Sequence, residues 1–265
     1  MQLKHAFRVW QRHLTVYTKL YKSSIALNFV EPILYLAALG LGLGAFVKEI
    51  NGVPYIKFIA PGIIASSSMF AAIYECTYGT YVRMTYQKTF DAILATPVNI
   101  DDLVAGELMW GATKSMLYGT IIIIVISIFG LVDSPLLVLA IPILFITGLI
   151  FSEISVIFTA IVPGIDSFNY FYTILMTPMF LFSGIFFPLD SLPSIVSKIA
   201  FFTPLYHLVN RRVFYPSLQI RIHSDVVSRI EYGRRCPSLF KRFPGQPKTR
   251  ELAHIRPSER QLAYL

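Results

Sequence analysis

Five long apolar segments fill most of the first 190 residues and limit most strongly what this chain can fold into. A helix needs about 20 mostly apolar residues to cross the roughly 30 Å hydrocarbon core of a bilayer. Each segment has that length, and together they cover residues 26–47, 58–81, 109–131, 136–162 and 170–189. Because backbone polar groups inside a bilayer must be satisfied within the protein, such segments form helices. The sequence therefore predicts an all-α polytopic membrane protein with five clear transmembrane helices.

The composition agrees with this class. Hydrophobic residues make up 55% of the chain and charged residues only 14%, which is unusual for a soluble globular domain. Residues 1–210 carry eleven Lys and Arg against eleven Asp and Glu, whereas residues 211–265 carry twelve against four. The net charge of +8 therefore lies in a proline-punctuated tail without sustained periodicity, which we expect to be disordered or frameshifted. Cys76 and Cys236 provide neither a disulfide framework nor a zinc pattern.

The first 24 residues have a basic amphipathic pattern. Apolar side chains recur at steps of three and four with Lys and Arg largely between them, which is typical of a helix that lies in the headgroup layer. The apolar positions are Leu3, Phe7, Trp10, Leu14, Tyr17 and Tyr21. We predict a cytoplasmic interface helix over residues 1–24, with Arg8 and Arg12 among its cations. The alternative is a charged flank that only orients the first span, and both interpretations place the N-terminus in the cytoplasm.

The longest polar interruption between apolar segments covers residues 81–107. Phe90 and Leu94 lie on the apolar edge of a short helix in this stretch. That helix should stop before Pro97, because a residue that precedes proline is pushed out of the helical region. A compact amphipathic helix between two spans fits a groove on a partner and could pass rigid-body motion to its neighbours. The alternative is a loop helix that stays at the lipid surface.

Acidic residues at the start of the next helix are explained by helix capping. Asn99, with Asp102 three residues on, resembles a capping box, and Asp101 and Asp102 favour the positive end of the helix dipole. The sequence contains no Walker-type loop, Ser/His/Asp grouping, His-Glu-x-x-His motif or acidic metal cluster. Intrinsic catalysis therefore has little support, and energy would come from another chain. The rival function is a membrane-embedded enzyme of lipid or isoprenoid metabolism, which would have only Asp101 and Asp102 for metal-bound diphosphate.

Ionisable residues inside the apolar segments are candidate pathway residues. Glu75 and Glu153 each cost about 2.5–3.5 kcal/mol at mid-bilayer unless they face protein, water or headgroups. Both a translocation pathway and a packing role are open for them. Glu31 lies near the cytoplasmic end of its segment, where its side chain can reach the headgroups. The GLGLG run at residues 40–44 lies in an apolar helix, so it favours close helix packing over nucleotide binding.

Four stretches together resemble a known family. They are ILYLAALGLGLG, YIKFIAPGIIASSSMFAAIYECTYGTYVRM, QKTFDAILATPVNIDDLVAGELMWGATK and FLFSGIFFPLDSLP. Over about residues 1–210 the chain resembles the type-2 ABC transporter permeases (ABC-2 family), and most closely the membrane subunit of the nodulation-factor (lipo-chitooligosaccharide) exporter group. The stretch TFDAILATPV, followed by the acid-rich helix restart, is similar to the cytoplasmic coupling segment of that family.

The resemblance implies a permease that pairs with a second copy or a sister subunit and with two separate ABC ATPase subunits. ATP and Mg²⁺ would be used by the ATPase, with no cofactor bound by this chain and no nucleic acid as partner. The exported substrate would be amphiphilic, such as a lipo-oligosaccharide, polysaccharide or drug-like molecule, and would cross the bacterial inner membrane. The interface helix and a coupling segment over residues 83–107 would contact the ATPase. The coupling residues implied are Gln87, Lys88, Phe90, Asp91, Leu94, Thr96 and Pro97.

The end of the chain departs from the family pattern. The family has re-entrant helices after its fifth span, which would fall at residues 190–206, and then a sixth span, yet no apolar window of even about 15 residues follows residue 210. We therefore divide the chain into a transmembrane domain, residues 25–210, and a tail, residues 211–265. One hypothesis is a frameshifted or truncated and inactive copy. The other is a genuine cytoplasmic tail, with residues 192–209 as a short sixth span; a tail that binds nucleic acid or anionic lipid is a further alternative.

Overall fold

The computed structural model describes residues 2–47, 49–50, 52–131, 138–186 and 203–210. Its α-helices are α1 (Leu3–Ala37), α2 (Tyr55–Tyr74), α3 (Thr89–Leu94), α4 (Ile100–Ile128), α5 (Ala140–Ile161), α6 (Phe168–Tyr170), α7 (Thr177–Leu181) and α8 (Pro204–Asn210). Within these ranges the only strands are β1 (Glu49–Ile50) and β2 (Val53–Pro54), which pair antiparallel just before α2. The prediction of a helical protein is confirmed.

Wider π-helical turns interrupt or extend several of these helices. Within the described residues they are Ala38–Gly42, Glu75–Gly79, Val82–Tyr86 and Phe171–Met176. Short 3₁₀ turns occupy Leu43–Ala45 and Ile165–Ser167. Isolated π-helical turns are rare and frequently lie at functional sites. Two of them continue α2 as one helical run to Tyr86, beyond the predicted end of the second span.

Three helical runs in the described part of the chain are long and apolar enough to cross a membrane: Tyr55–Tyr86, Ile100–Ile128 and Ala140–Ile161. They correspond to the second, third and fourth predicted segments. The first predicted segment contains a shorter apolar helix, Ile33–Ala45. The fifth is helical as far as Leu181, and its last residues lie outside the described part. The total of five spans therefore stays a prediction.

The predicted interface helix and the start of the first span form one helix. α1 runs without a break from Leu3 to Ala37, about 50 Å at 1.5 Å per residue. No helix break therefore marks the predicted boundary at residues 24–25. Contacts between residues 2–17 and residues 102–114 place the first half of α1 along α4. The side chains of Tyr21 and Glu31 lie outside the described part of the structure.

α4 is the central helix, with α1, α2 and α5 packed around it. Small polar side chains allow close approach on its α5 side. The hydroxyls of Ser68 and Ser115 contact each other, and the Ser115 hydroxyl donates a hydrogen bond to the Leu144 carbonyl at 3.0 Å. Hydroxyl contacts of this kind hold helices together where water is excluded. They hold α2, α4 and α5 together, and two of these helices, α2 and α4, carry the site described below.

The GLGLG run fits its prediction only in part, and most of the C-terminal region lies outside the described residues. A Cβ at Gly40 would lie 2.7 Å from the Ile56 side chain, whereas one at Gly42 would meet no atom within 4 Å, so close packing occurs at Gly40. α8 packs against α2 and α5 and buries Leu205 completely. The tail from residue 211, and most of the predicted re-entrant segment, lie outside the described residues.

Candidate functional site

The polar stretch after α2 folds as a short helix between two turns. The helical run of α2 ends at Tyr86, and Lys88 then adopts the left-handed conformation with φ 53° and ψ 25°. Residues other than glycine rarely adopt this conformation, so the chain reverses at a strained position. α3 ends at Leu94, a turn covers residues 95–97, and α4 begins at Ile100. The predicted short helix, its end before the proline and the helix restart are all confirmed.

The two faces of this segment have different surroundings. Phe90 is only 4% exposed and Leu94 is half-buried, so both face the helix bundle. The other predicted coupling residues are exposed; these are Gln87, Lys88, Asp91, Thr96 and Pro97. The exposed set is available to a partner chain, whereas Phe90 and Leu94 attach the segment to the rest of the protein.

Phe90 enters an apolar cluster in which the ends of several helices meet, here called the coupling cluster. Its buried members are Val9, Tyr81, Met84, Phe90, Leu103, Ala160, Val162 and Phe168. They come from α1, the end of the α2 run, α3, α4, the end of α5 and α6. Since protein interiors are close-packed, α3 cannot shift without moving or repacking these neighbours. The cluster also places the start of α1 at the same end of the bundle as α3.

A buried ion network lies beside the coupling cluster, with Arg83 at its centre. Arg83 Nη1 donates to Glu75 Oε1 at 2.7 Å, and Nη2 donates to Glu107 Oε2 at 2.6 Å. The Thr80 hydroxyl donates to the same Glu107 oxygen at 3.0 Å. A Cβ at Gly79 would lie 3.1 Å from Glu75 Oε1, so a glycine leaves room for the ion pair. A buried charge is costly without a partner. Because Arg83 lies on the α2 run and Glu107 lies on α4, their pairing ties the end of the α2 run to α4.

Two further basic residues extend the network to α1 and along α4. His13 Nε2 of α1 lies 2.8 Å from Glu107 Oε1, and both side chains are almost fully buried. Lys114 Nζ lies 3.3 Å from Glu75 Oε2 and 4.4 Å from the ring centre of Tyr17. An ammonium group at that distance from an aromatic face is attracted to it. The network therefore joins α1, the α2 run and α4 through charged and aromatic contacts.

The inward face of α1 differs from the predicted apolar face. Leu3 and Phe7, expected on that face, are 75% and 49% exposed. A Cβ at Gly106 would lie 2.6 Å from Val9 Cβ, so the helices approach too closely there for large side chains. The face that packs on α4 consists of Ala6, Val9, His13 and Tyr17. The predicted contact of Leu3 and Phe7 with the headgroup layer stays a prediction, whereas Tyr17, predicted on the same face, packs on α4.

The predicted interface residues lie beside this contact. Trp10 Nε1 donates to the Thr113 hydroxyl at 2.9 Å. Phe7 stacks on Trp10 with ring centres 5.1 Å apart. Arg8 and Arg12 are exposed. The outer surface of α1 thus offers cations beside an aromatic pair, a combination that suits lipid headgroups or an acidic protein surface.

Asp102 holds the start of α1. α4 begins without a side-chain capping hydrogen bond, so the predicted capping box with Asn99 is wrong. Asp102 is instead fully buried, and its Oδ1 accepts the backbone N–H of Gln2 at 2.6 Å. His5 Nδ1 lies 3.4 Å from the other carboxylate oxygen. The first N–H groups of a helix have no partner within it, and Asp102 supplies one at the point where α1 begins.

The two predicted pathway carboxylates have different partners. Glu75 belongs to the ion network, whereas Glu153 is half-buried on α5 and has no ion pair within the described residues. Arg83 and Glu107 both fall in the predicted coupling segment, residues 83–107, and the sequence does not single them out, because the pairing depends on the α2 run extending over Arg83 and packing on α4. An available signal is that residues 82–86 contain neither glycine nor proline, so nothing there stops a helix.

In the part of the chain that the structure describes, no group of three or more His, Cys, Asp and Glu side chains could hold a metal ion. The features present are an exposed short helix, an apolar anchor beneath it and an ion network that links three long helices. A force applied to α3 from outside would reach all three.

The chain is similar to a known transporter family and to several known proteins. The model of the family described as ABC-2 type transporter matches residues 5–211. Nodulation protein J of Rhizobium leguminosarum bv. viciae is 41% identical over 202 residues, which cover 76% of this chain and 78% of that protein. Nodulation protein J of Sinorhizobium fredii (strain NBRC 101917 / NGR234) is 37% identical over 201 residues, covering 76% and 77%.

A more distant relative extends the comparison beyond nodulation proteins. Inner membrane transport permease YadH of Escherichia coli (strain K12) is 19% identical over 202 residues, which cover 76% of this chain and 78% of that protein. No solved structure matches the chain.

Proposed function

The chain belongs to the ABC-2 type transporter family, and on that basis we propose that α3 is the coupling helix through which a separate ABC ATPase drives it. The chain is the membrane permease subunit of an exporter, and ATP hydrolysis takes place on the partner. The exposed residues of the segment, with Asp91 and Thr96 at their centre, contact the ATPase. The observation that carries this proposal is that α3 is exposed on one side and anchored on the other by Phe90.

The anchored side turns the contact into helix movement. Phe90 pushes on the coupling cluster, and Arg83 carries the displacement from the α2 run to α4 through Glu107. His13 brings α1 along with them, since it faces the same carboxylate. The outer surface of α1, with Phe7 and Arg8, supplies a second contact for the ATPase or for lipid headgroups.

The substrate is an amphiphilic lipo-oligosaccharide. Two relatives named Nodulation protein J, at 37% and 41% identity, support this assignment together with the resemblance to nodulation-factor exporters. A relative named as an inner membrane permease supports the bacterial inner membrane as the location. A second permease copy or sister subunit completes the translocation path, in which Glu153 is a candidate lining residue. We place the N-terminus and α3 on the cytoplasmic side, where the ATPase is.

The enzyme alternative has no support from the two aspartates on which it depends. Asp102 is buried and accepts the Gln2 N–H, whereas Asp101 is exposed on another side of α4. The two carboxylates do not converge on a site that could bind metal and diphosphate.

The proposal is tested by reversing a charge on the exposed face of α3. Asp91→Arg should reduce co-purification with the ATPase and ATP-dependent uptake of an acylated chitooligosaccharide into inverted membrane vesicles, which reports export, by at least about tenfold. Such a loss corresponds to about 1.4 kcal/mol of interaction. Because Asp91 is exposed, folding of the permease should be unaffected.

A matched control is Glu49→Arg, which makes the same charge change at an exposed position of strand β1. It should leave both co-purification and export unchanged. If Asp91→Arg behaves like Glu49→Arg in both assays, α3 is not the ATPase contact. If neither the wild type nor the control exports the acylated probe although the ATPase binds, the substrate assignment is wrong.

A further inference from the structure

A cleft lies between α1, α2, α4 and α7, separate from the coupling cluster. The open space between these helices, including solvent at its mouth, is about 600 Å³. None of the described residues that line it is charged. Its aromatic lining consists of Tyr35, Phe70, Tyr74, Tyr118, Phe180 and Phe186. The cleft is therefore neutral and rich in ring faces.

Two serine hydroxyls of α2 add polar atoms to this lining. Ser66 and Ser67 both donate hydrogen bonds to the Ile63 carbonyl of their own helix, at 3.1 and 2.7 Å. Each hydroxyl has one hydrogen and two acceptor lone pairs. Because both hydroxyl hydrogens are already donated to the Ile63 carbonyl, these serines can accept hydrogen bonds from a ligand but have none to donate.

A column of rings leads from the cleft to the coupling cluster. In order along the column the rings are Phe180, Phe70, Tyr74, Tyr172, Tyr78 and Phe168, with successive centres 5.5, 6.1, 5.0, 5.7 and 4.9 Å apart. Aromatic pairs attract each other at these separations. Phe168 is itself a buried member of the coupling cluster. The column therefore forms a continuous packed path between α3 and the cleft.

The middle of the column lies where two π-helical turns meet. Tyr78 belongs to the turn Glu75–Gly79 and Tyr172 to the turn Phe171–Met176. The hydroxyls of Thr77 and Tyr172 form a hydrogen bond of 2.9 Å across the same contact. Since π-helical turns concentrate at functional sites, this meeting point is a second observation, independent of the cleft, that marks the column.

The lining selects one part of an amphiphile over the others. A sugar ring has an apolar C–H face that stacks on aromatic rings and carries hydroxyl or amide donors around its edge, which match the serine acceptors. An anionic headgroup would need a cation, and the lining offers none. An acyl chain needs neither ring faces nor acceptors.

We infer that this cleft binds the uncharged sugar rings of the transported lipo-oligosaccharide, and that the ring column relays movement of the coupling cluster to them. The inference rests on the proposed function, which supplies the amphiphilic oligosaccharide, and adds where its glycan is held. Phe70, Tyr74 and Phe180 both line the cleft and belong to the column, and of these Phe70 and Phe180 lie at its cleft end. They are therefore the binding residues to test.

The test uses the permease with its ATPase in nanodiscs and three probes: a tetramer of β-linked N-acetylglucosamine, its N-acylated form and the free fatty acid. The unlabelled probes compete with a fluorescent acylated tetramer. Phe70→Leu and Phe180→Leu remove the ring but leave an apolar side chain in its place, so the apparent Kd of both glycan probes should rise roughly 2- to 12-fold. Phe70→Tyr keeps the ring and should bind like the wild type, as should Phe129→Leu at an exposed position outside the cleft.

The outcomes separate the inference from the function on which it rests. If the leucine variants weaken only the fatty acid and leave the free tetramer unchanged, the cleft is an acyl site and the inference is overturned. It is also overturned if the wild-type complex exports the acylated tetramer and both leucine variants export and bind it normally, although the proposed function then stands. If the wild-type complex binds and exports neither glycan probe, the proposed function itself fails, and the inference with it.

Discussion

Replacing Arg83 with methionine should destabilise the permease markedly. Arg83 is the partner of Glu75 and Glu107, whose side chains are only 15% and 2% exposed. Removing one member of a buried ion pair costs about 3–5 kcal/mol, because the other charge stays buried without compensation. Glu75 keeps Lys114 at 3.3 Å and Glu107 keeps the Thr80 hydroxyl at 3.0 Å. We therefore expect the lower end of that range, about 3 kcal/mol.

A second substitution shows whether the network acts as a unit. Glu107→Gln alone leaves Arg83 with one carboxylate and should also destabilise the protein. The double variant R83M/E107Q removes one charge of each sign and leaves the pair of Glu75 with Lys114. The decrease in its free energy of unfolding should therefore be about 1–3 kcal/mol smaller than the sum of the decreases in the two single variants. This difference is the coupling expected for residues in one buried network.

The measurement is the thermal unfolding midpoint of the purified permease–ATPase complex at fixed protein concentration. For a chain of this size about 1 kcal/mol shifts the midpoint by roughly 2–4 °C, so R83M should lower it by about 6–12 °C. Glu49→Gln, at an exposed position, should leave it unchanged. If the loss of the double variant equals the added single losses, Arg83 and Glu107 are not energetically coupled, and transmission through this pair is refuted.

Two further substitutions test the backbone features of the site by the same midpoint. Lys88→Val should destabilise by about 1–2 kcal/mol because a β-branched residue fits the left-handed conformation poorly, whereas Lys88→Gly should be near neutral; equal midpoints for the two would contradict the strained turn. Gly106→Ala places a Cβ 2.6 Å from Val9 Cβ and should cost about 1–3 kcal/mol, with faster tryptic cleavage after Arg8. Gly42→Ala, which meets no atom within 4 Å, should show neither effect; similar results for both glycines would contradict the close contact of α1 with α4.

Much of the helical architecture could be predicted, because its signals are long or local. Runs of about 20 apolar residues identify helices whatever their partners. The α3 boundaries follow from Pro97 and from the restart after Asn99, both of which act through backbone conformation. The apolar edge of α3 with Phe90 and Leu94 could be predicted, but a six-residue helix is too short for its periodicity to show whether that edge packs on the bundle or on a partner.

The contacts of α1 show why tertiary packing limits such predictions. The aromatic spacing of residues 3–21 favours one apolar face, yet the helix buries a different one. The deciding feature is Gly106, about a hundred residues away, which lets Val9 approach the α4 backbone. Asp102 likewise has the composition of a helix-start residue but binds the N–H of Gln2. No local pattern carries information about either contact.

The geometry of the ion network explains why a regular helical period misses it. Eight residues of α-helix turn through about 80° beyond two full turns, so Glu75 and Arg83 would diverge on a regular helix. The turns Glu75–Gly79 and Val82–Tyr86 are π-helical, and their i→i+5 hydrogen bonds use fewer degrees per residue. They bring both side chains back to one face, where Nη1 and Oε1 are 2.7 Å apart. The wide turns thus favour the buried ion pair, and a perturbation that tightens these turns should move Arg83 away from Glu75.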